Sequence, residues 1–193
     1  MSDQNSKVKI AFNSPVILTF TGICLLSLIL GRITNFSSTR LLFCVYRSSP
    51  ADPLTYVRLI GHVFGHSGWN HFINNIMMIL VIGPMLEEKY GSKDILFVIL
   101  STALVTGIIH IIFFPYVRLL GASGVVFTFI LLASITGFKS KTIPLTFIIV
   151  AVIYIGGQIY EGLFVTDNIS NLTHIVGGAV GAFFGYIGNK QEA

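Results

Sequence analysis

Long apolar runs alternate with short polar segments along this 193-residue chain. A helix needs about 20 predominantly apolar residues to cross a bilayer. Six runs approach that length, and each predicts a membrane-spanning helix: 14–30, 71–86, 95–114, 121–138, 143–160 and 169–189. Asn74 and Asn75 interrupt the second run, so we expect their side chains to find partners in the protein rather than in lipid.

Composition assigns the chain to the membrane proteins. Hydrophobic residues make up 53% of the chain and charged residues only 10%, with a mean hydropathy of +0.82. So little charge cannot cover the surface of a soluble globule. We therefore predict an all-α membrane protein with one six-helix domain at 14–189, a short cytoplasmic segment at 1–13 and a cytoplasmic tail at 190–193. The lipid bilayer is its expected surrounding, and no nucleic-acid partner is expected.

The positive residues predict how the chain is oriented in the membrane. On the six-helix map all seven lysines fall on one side and all five arginines on the other. Positive residues favour the cytoplasmic side of short loops, whereas long loops count less. Four of the arginines lie in the long loop at 31–70. We therefore expect both termini in the cytoplasm. The expected location of the protein is the plasma membrane of a bacterial cell.

Three of the apolar runs begin with polar groups that are suited to catalysis. Ser123 begins the fourth, His71 and Asn75 lie at the start of the second, and His174 lies at the start of the sixth. Polar groups inside a membrane are expensive and by default functional. On the predicted orientation these three sets lie at a similar depth, near the outer ends of their helices.

Their chemistry predicts a serine nucleophile with a histidine base. A serine hydroxyl needs a base for activation and donors that hold the oxyanion formed by its attack. His174 is the candidate base. His71 and Asn75 are four residues apart, so they share a helix face and both can donate hydrogen bonds, as can the backbone N–H of Ser123. No span carries an acidic residue suited to orient His174, so the pattern predicts a Ser–His dyad.

Small residues predict how the base approaches the nucleophile. Gly177, Gly181 and Gly185 follow His174 on one helix face, and such spacing lets a neighbouring backbone approach closely. On the helix of Ser123 we expect Ser134 and Gly137, at offsets of eleven and fourteen, to meet this row.

Three motifs together resemble those of the rhomboid intramembrane serine proteases. They are the GxSG, HxxxN and HxxGxxxG patterns, which here read Gly121-Ala122-Ser123-Gly124, His71-Phe72-Ile73-Asn74-Asn75, and His174-Ile175-Val176-Gly177 followed by Gly181. The resemblance covers the chain from the first helix to Gly188. It implies Ser123 as nucleophile, His174 as base, and His71, Asn75 and the Ser123 amide as oxyanion hole. It also implies that the loop at 31–70 is a membrane-embedded hairpin, although composition alone equally favours an ordinary connecting loop.

Further residues resemble the supporting parts of the rhomboid site. Gly121, Gly124, Gly177 and Gly181 would support it by close packing. Glu87 resembles the glutamate of a GxxxExxxG pattern, and Arg58 the arginine of a Trp-Arg pair, although Val57 replaces the tryptophan. Phe127 stands where many relatives have a tyrosine against the catalytic histidine, and it keeps the stacking surface.

Several alternatives stay open at this point. A catalytically inactive relative that binds client spans, a rhombosortase-type enzyme acting on C-terminal sorting tails, and a small transporter would share parts of this pattern. His62, His66 and His71 invite a metal site, but their loop context favours structural hydrogen bonds, and His110 is also expected to be structural. No cofactor is expected. The expected substrates are single-span membrane proteins, and the sequence leaves the oligomeric state open.

Overall fold

The computed structural model describes residues 11–135, 143, 145–164 and 171–191. Eight α-helices occupy these ranges: α1 (Pro15–Ile33), α2 (Ser37–Leu42), α3 (Pro53–Gly61), α4 (Trp69–Tyr90), α5 (Ser92–Phe113), α6 (Ser123–Ile135), α7 (Leu145–Phe164) and α8 (Asn171–Gln191). A 3₁₀ turn at His62–Phe64 follows α3. Val45 and Leu119 form an isolated antiparallel bridge.

Helices lie at all six positions that the apolar runs predicted. Their ends differ from the predicted ends by a few residues, and the last part of the fourth run lies outside the described residues. Within the described ranges, α1, α4 and α5 are long and apolar enough to cross a membrane, and α6 is a shorter apolar helix. Large apolar side chains are exposed along these helices, among them Leu26, Val81, Phe97 and Ile112. The fold is all-helical and suited to an integral membrane protein.

Two short helices in the loop at 31–70 were not predicted. The Asp52 carboxylate caps α3 by accepting a hydrogen bond from the Leu54 N–H, and Pro53 provides a first-turn residue that needs no partner. Cys44 and Val45 are buried in the protein at 1% and 0% exposure. This part of the loop at 31–70 therefore packs against protein, whereas Leu41 is half-exposed.

Helix α6 is the centre of the bundle. Nine of its thirteen residues are buried, and they lie around its whole circumference. It packs most extensively on α8 and also contacts α4, α5 and α7. Because α6 begins at Ser123, this central helix presents the serine at one end of the bundle.

The glycine row of α8 packs on α6, but against a face other than the predicted one. A Cβ on Gly177 would collide with the carbonyl oxygen of Gly124, and one on Gly181 with that of Thr128. Ser134, the expected partner, is not among the atoms nearest to these Cβ positions, and its hydroxyl donates to Ile130 O of its own helix at 2.7 Å. Gly137 lies outside the described residues. The prediction of that face was wrong, because the row meets Gly124 and Thr128, and one residue along an α-helix turns a position by about 100° away from Ser123.

Glu87 joins the end of α4 to the beginning of α1. Its carboxylate accepts hydrogen bonds from the backbone N–H groups of Val16 and Ile17, each at 3.0 Å, and from the Ser92 hydroxyl at 2.7 Å. A helix begins with N–H groups that have no acceptor in the helix, and its dipole favours a negative charge there. Glu87 thus fixes the end of α4 to the start of α1, 70 residues away in sequence, and to the start of α5.

Candidate active site

Ser123 and His174 meet at one end of the α6–α8 contact. The Nε2 atom of His174 lies 2.7 Å from the Oγ atom of Ser123. Both side chains are partly exposed, so a reacting group could reach them. With the imidazole proton on Nδ1, the Ser123 hydroxyl donates to Nε2, which is the arrangement that a serine nucleophile needs.

Phe127 supports the imidazole from the side. Its ring lies parallel to that of His174, with 4.7 Å between centroids and 10° between ring planes. Phe127 is four residues after Ser123, so it projects from the same face of α6. The stacking surface expected from the sequence is therefore present, and it restricts the rotation of the His174 ring.

Donor groups converge on Gly121, two residues before Ser123. A Cβ built on Gly121 would lie 2.7 Å from His71 Nε2 and 3.8 Å from Asn75 Nδ2. Asn75 is buried, and its Nδ2 has no hydrogen-bond partner among the residues that the structure describes. Buried donors are rarely left unpaired, so this amide is available for a ligand oxygen. The backbone N–H of Ser123 lies in the first turn of α6, where a helix offers no acceptor for it.

Gly121 is required at this point for two reasons. Its φ of +133° is strained for any residue with a Cβ, and its lack of a side chain leaves the space into which His71 and Asn75 point. Asn74, also expected to contact protein, is instead exposed on the other side of α4.

Ser67 and His66 hold the His71 ring in place. The Ser67 Oγ lies 3.1 Å from His71 Nδ1, and His66 packs edge-on against the His71 ring with 5.1 Å between centroids. If the Ser67 hydroxyl donates to Nδ1, the His71 proton resides on Nε2, the atom that faces Gly121. Ser67 was not predicted, although its spacing of four residues from His71 was an available signal.

The loop between α5 and α6 is fixed to the rest of the protein before it reaches the site. Leu119 exchanges two backbone hydrogen bonds with Val45, each 2.9 Å, and the Gly121 N–H donates to His62 O at 2.9 Å. His110 Nε2 donates to Val117 O at 2.9 Å. Because several bonds hold this loop, the residues that lead into Ser123 are positioned without a ligand.

Arg58 is buried beside the segment between α2 and α3. One of its terminal nitrogens donates to the Asp52 carboxylate at 2.6 Å, to Ser48 at 3.0 Å and to Thr55 at 3.3 Å. The guanidinium also lies 4.7 Å from the centre of the Tyr46 ring. The hydrogen bond from Arg58 lowers the pKa of Asp52, which keeps that carboxylate ionised. Arg58 thus organises the segment between α2 and α3 and does not contact Ser123 or His174.

His62 and His66 make backbone contacts within their own segment. Nδ1 of His62 lies 3.1 Å from Leu59 O, and Nδ1 of His66 lies 3.2 Å from Phe64 O. Burial lowers the pKa of each ring to about 4, so both are neutral at pH 7. Across the described residues, no three histidine, cysteine or acidic side chains are grouped as metal ligands. These histidines fit the structural alternative of the sequence analysis.

Comparison with known proteins identifies the family of this chain. The profile of the rhomboid domain matches residues 53–191. Rhomboid-related protein 1 of Caenorhabditis elegans is 29% identical over 140 residues, covering 67% of this chain and 39% of that protein. Rhomboid-related protein 2 of Mus musculus is 30% identical over 156 residues, covering 70% and 51%.

A bacterial relative is also similar. Rhomboid protease GluP of Bacillus subtilis strain 168 is 30% identical over 132 residues, covering 66% of this chain and 25% of that protein. The chain thus matches between a quarter and about half of the length of these relatives. Because the domain profile matches well over half of the chain, this membrane protein belongs to the rhomboid family.

Proposed function

We propose that this protein is an intramembrane serine endopeptidase that cleaves peptide bonds in or near the transmembrane segments of membrane proteins. The observation that carries the proposal is the 2.7 Å contact between Ser123 Oγ and His174 Nε2, next to the unpaired amide of Asn75. A base on the nucleophile and unpaired donors beside it are the two requirements of acyl transfer through a serine. Family membership supports the same reaction class.

In the proposed reaction, Ser123 transfers its proton to His174 as its Oγ attacks the carbonyl carbon of the scissile peptide. The oxyanion receives hydrogen bonds from the Ser123 N–H, Asn75 Nδ2 and His71 Nε2. His174 then protonates the leaving amine, which leaves an acyl ester on Ser123. Water then attacks this ester as it gives a proton to His174, and His174 returns that proton to Ser123 Oγ as the carboxylic acid product leaves.

The membrane part of the proposal is a six-span bundle at 14–189, in which α1, α4, α5, α6, α7 and α8 all cross the bilayer. The segments at 1–13 and 190–193 lie in the cytoplasm of a bacterial cell, and Ser123 lies near the outer end of its helix. Water then reaches the site from outside through the polar helix ends and does not cross the bilayer.

The expected substrates are single-span proteins with helix-breaking residues near their outer end. A fully hydrogen-bonded helix offers no accessible carbonyl, so the scissile bond must leave helical structure first. A lateral entrance beside α7 suits this requirement. Among the described atoms, nothing lies within 4 Å of a Cβ built on Gly156 or Gly157, so these two glycines do not pack closely on a neighbouring helix.

The test is cleavage of a fluorescently tagged single-span substrate in proteoliposomes, with chelator present. Ser123→Ala and His174→Ala should abolish cleavage. Asn75→Ala should lower kcat by about 10²–10³, the usual effect of removing one oxyanion donor. Ser134→Ala is the matched control because it removes a hydroxyl from the same helix without touching the site.

The other outcomes of this test point to the rival functions. Binding of substrates without cleavage would favour the inactive, client-binding relative. Cleavage that requires a C-terminal sorting tail would favour the rhombosortase type. Solute flux through the proteoliposomes, unchanged by Ser123→Ala, would favour a transporter.

A further inference from the structure

A threonine hydroxyl joins α6 to α8 one helical turn below the Ser123–His174 pair. The Oγ1 atom of Thr128 lies 2.7 Å from the carbonyl oxygen of Gly177 and 2.9 Å from that of Gly124. Thr128 is fully buried, at 0% exposure. Its side chain therefore connects the helix of the nucleophile to the helix of the base with no competition from solvent.

The number of hydroxyl protons limits which acceptors Thr128 can bond. The Thr128 hydroxyl has one proton, and the nearer acceptor is Gly177 O on the other helix. The Thr102 hydroxyl of α5 lies 3.0 Å from Thr128 Oγ1 and can donate to it. A donation from Thr102 leaves the single proton of Thr128 for the two carbonyls, of which Gly177 O on α8 is the nearer. Three helices are thus connected through one oxygen atom.

The position of this bond matters because the close approach of the glycines beside it is steric. Gly177 and Gly181 pack closely on the backbone carbonyls of α6, which sets the distance between the helices. Steric packing alone is not directional, whereas a hydrogen bond fixes a donor against one acceptor. Gly177 is three residues after His174, so a shift of α8 along its axis would move the imidazole by the same amount.

We propose that Thr128 is a positioning residue, which holds α8 at the height where His174 reaches Ser123, and that Thr102 orients its hydroxyl. This inference rests on the proposed protease function. A weak signal was present in the sequence, since Thr128 is one of the few polar residues of a largely apolar run and lies four residues after Gly124.

The experiment compares Thr128→Val, Thr128→Ser and Thr102→Val with wild type and Ser134→Ala. Valine keeps the shape and removes the hydroxyl, whereas serine restores it. Misplacement of a catalytic group by about 1 Å can cost about 10²-fold in rate. Thr128→Val should therefore lower kcat at least about tenfold with KM within about twofold of wild type. Thr128→Ser should stay within about threefold of wild type, and Thr102→Val should fall between them.

A second readout does not depend on substrate entry. Labelling of Ser123 by a small fluorophosphonate reports the activation of the nucleophile, and it should slow in Thr128→Val in proportion to kcat. Ser134→Ala should label at the wild-type rate, because its hydroxyl bonds only within α6.

Three results would overturn the inference. One is a Thr128→Val variant with wild-type kcat and labelling rate. Another is a loss that Thr128→Ser fails to restore, since the hydroxyl would then not be responsible. If Thr128→Val does not fold, wild-type kcat in Thr102→Val would refute the proposed orientation. A wild-type protein that neither cleaves nor labels would instead reject the protease function on which the inference depends.

Discussion

Replacing Gly181 by alanine adds one methyl group at the closest approach of α8 to α6. The new Cβ would collide with the carbonyl oxygen of Thr128, a backbone atom that cannot rotate away. Gly178, three residues earlier, offers a matched control. A Cβ there would lie 3.5 Å from a side-chain atom of Leu131, which is ordinary van der Waals contact.

These contacts determine how much stability and kcat Gly181→Ala should lose. To admit the methyl group of Gly181→Ala, the two helices must separate by roughly 1 Å, and overpacking of this kind typically costs about 1–3 kcal/mol. The same separation would lengthen the 2.7 Å contact between Ser123 and His174 to about 3.7 Å, which exceeds hydrogen-bond range. We therefore expect kcat to fall by about 10²-fold. Gly178→Ala should leave kcat unchanged and raise stability by up to about 1 kcal/mol, since alanine favours a helix over glycine.

The assay measures kcat in proteoliposomes and the thermal midpoint in detergent for both variants and wild type. Gly181→Ala should lower the midpoint by roughly 5 °C, given about 2–4 °C per kcal/mol for a chain of this size. Activity of Gly181→Ala within about twofold of wild type, with an unchanged midpoint, would refute the reasoning about the α6–α8 distance.

Three further predictions concern stability. Glu87→Ala should destabilise the protein by about 3 kcal/mol or more, because it leaves two backbone N–H groups and the Ser92 hydroxyl without their acceptor. The thermal midpoints of the variant and of wild type measure this loss of stability. Arg58→Lys should lower the midpoint, because a lysine cannot reproduce the planar contacts of a guanidinium that is 2% exposed. Stability should fall as pH drops from about 6.5 towards 4, because the folded protein lowers the pKa of His62 to about 4 while the unfolded chain takes up a proton at the ordinary value.

Each of these has its own control. Glu88 is the exposed neighbour of Glu87, so Glu88→Ala should be neutral, and an equal loss in both variants would contradict the role of Glu87. A midpoint of Arg58→Lys equal to that of wild type would show that its hydrogen bonds do not stabilise the fold. For the pH effect, His62→Gln cannot titrate, so its stability should decline less between pH 6.5 and 4 than that of wild type, and a parallel decline would reject the assignment to His62.

The predictions from sequence agree best with the structure where a feature depends only on residues close together in the chain. Apolar runs near the length of a membrane span gave helices at the six expected positions, because length and hydropathy alone select a helix in lipid. Helices α2 and α3 were missed because they have only six and nine residues, and helices that short depend on tertiary contacts for stability. The six-span count and the catalytic roles of Ser123, His174, His71 and Asn75 stay predictions.

The sequence by itself determined the class of protein, the family resemblance and the residues that could react, since these depend on composition and on motif spacing. Only the tertiary structure decided which face of α6 meets α8, that Glu87 reaches back to Val16 and Ile17, and that Thr128 bonds to Gly177. The physical reason is that each of these contacts joins residues far apart in the chain. Such contacts depend on the rotation and height of one helix relative to another, and close packing between helices sets both.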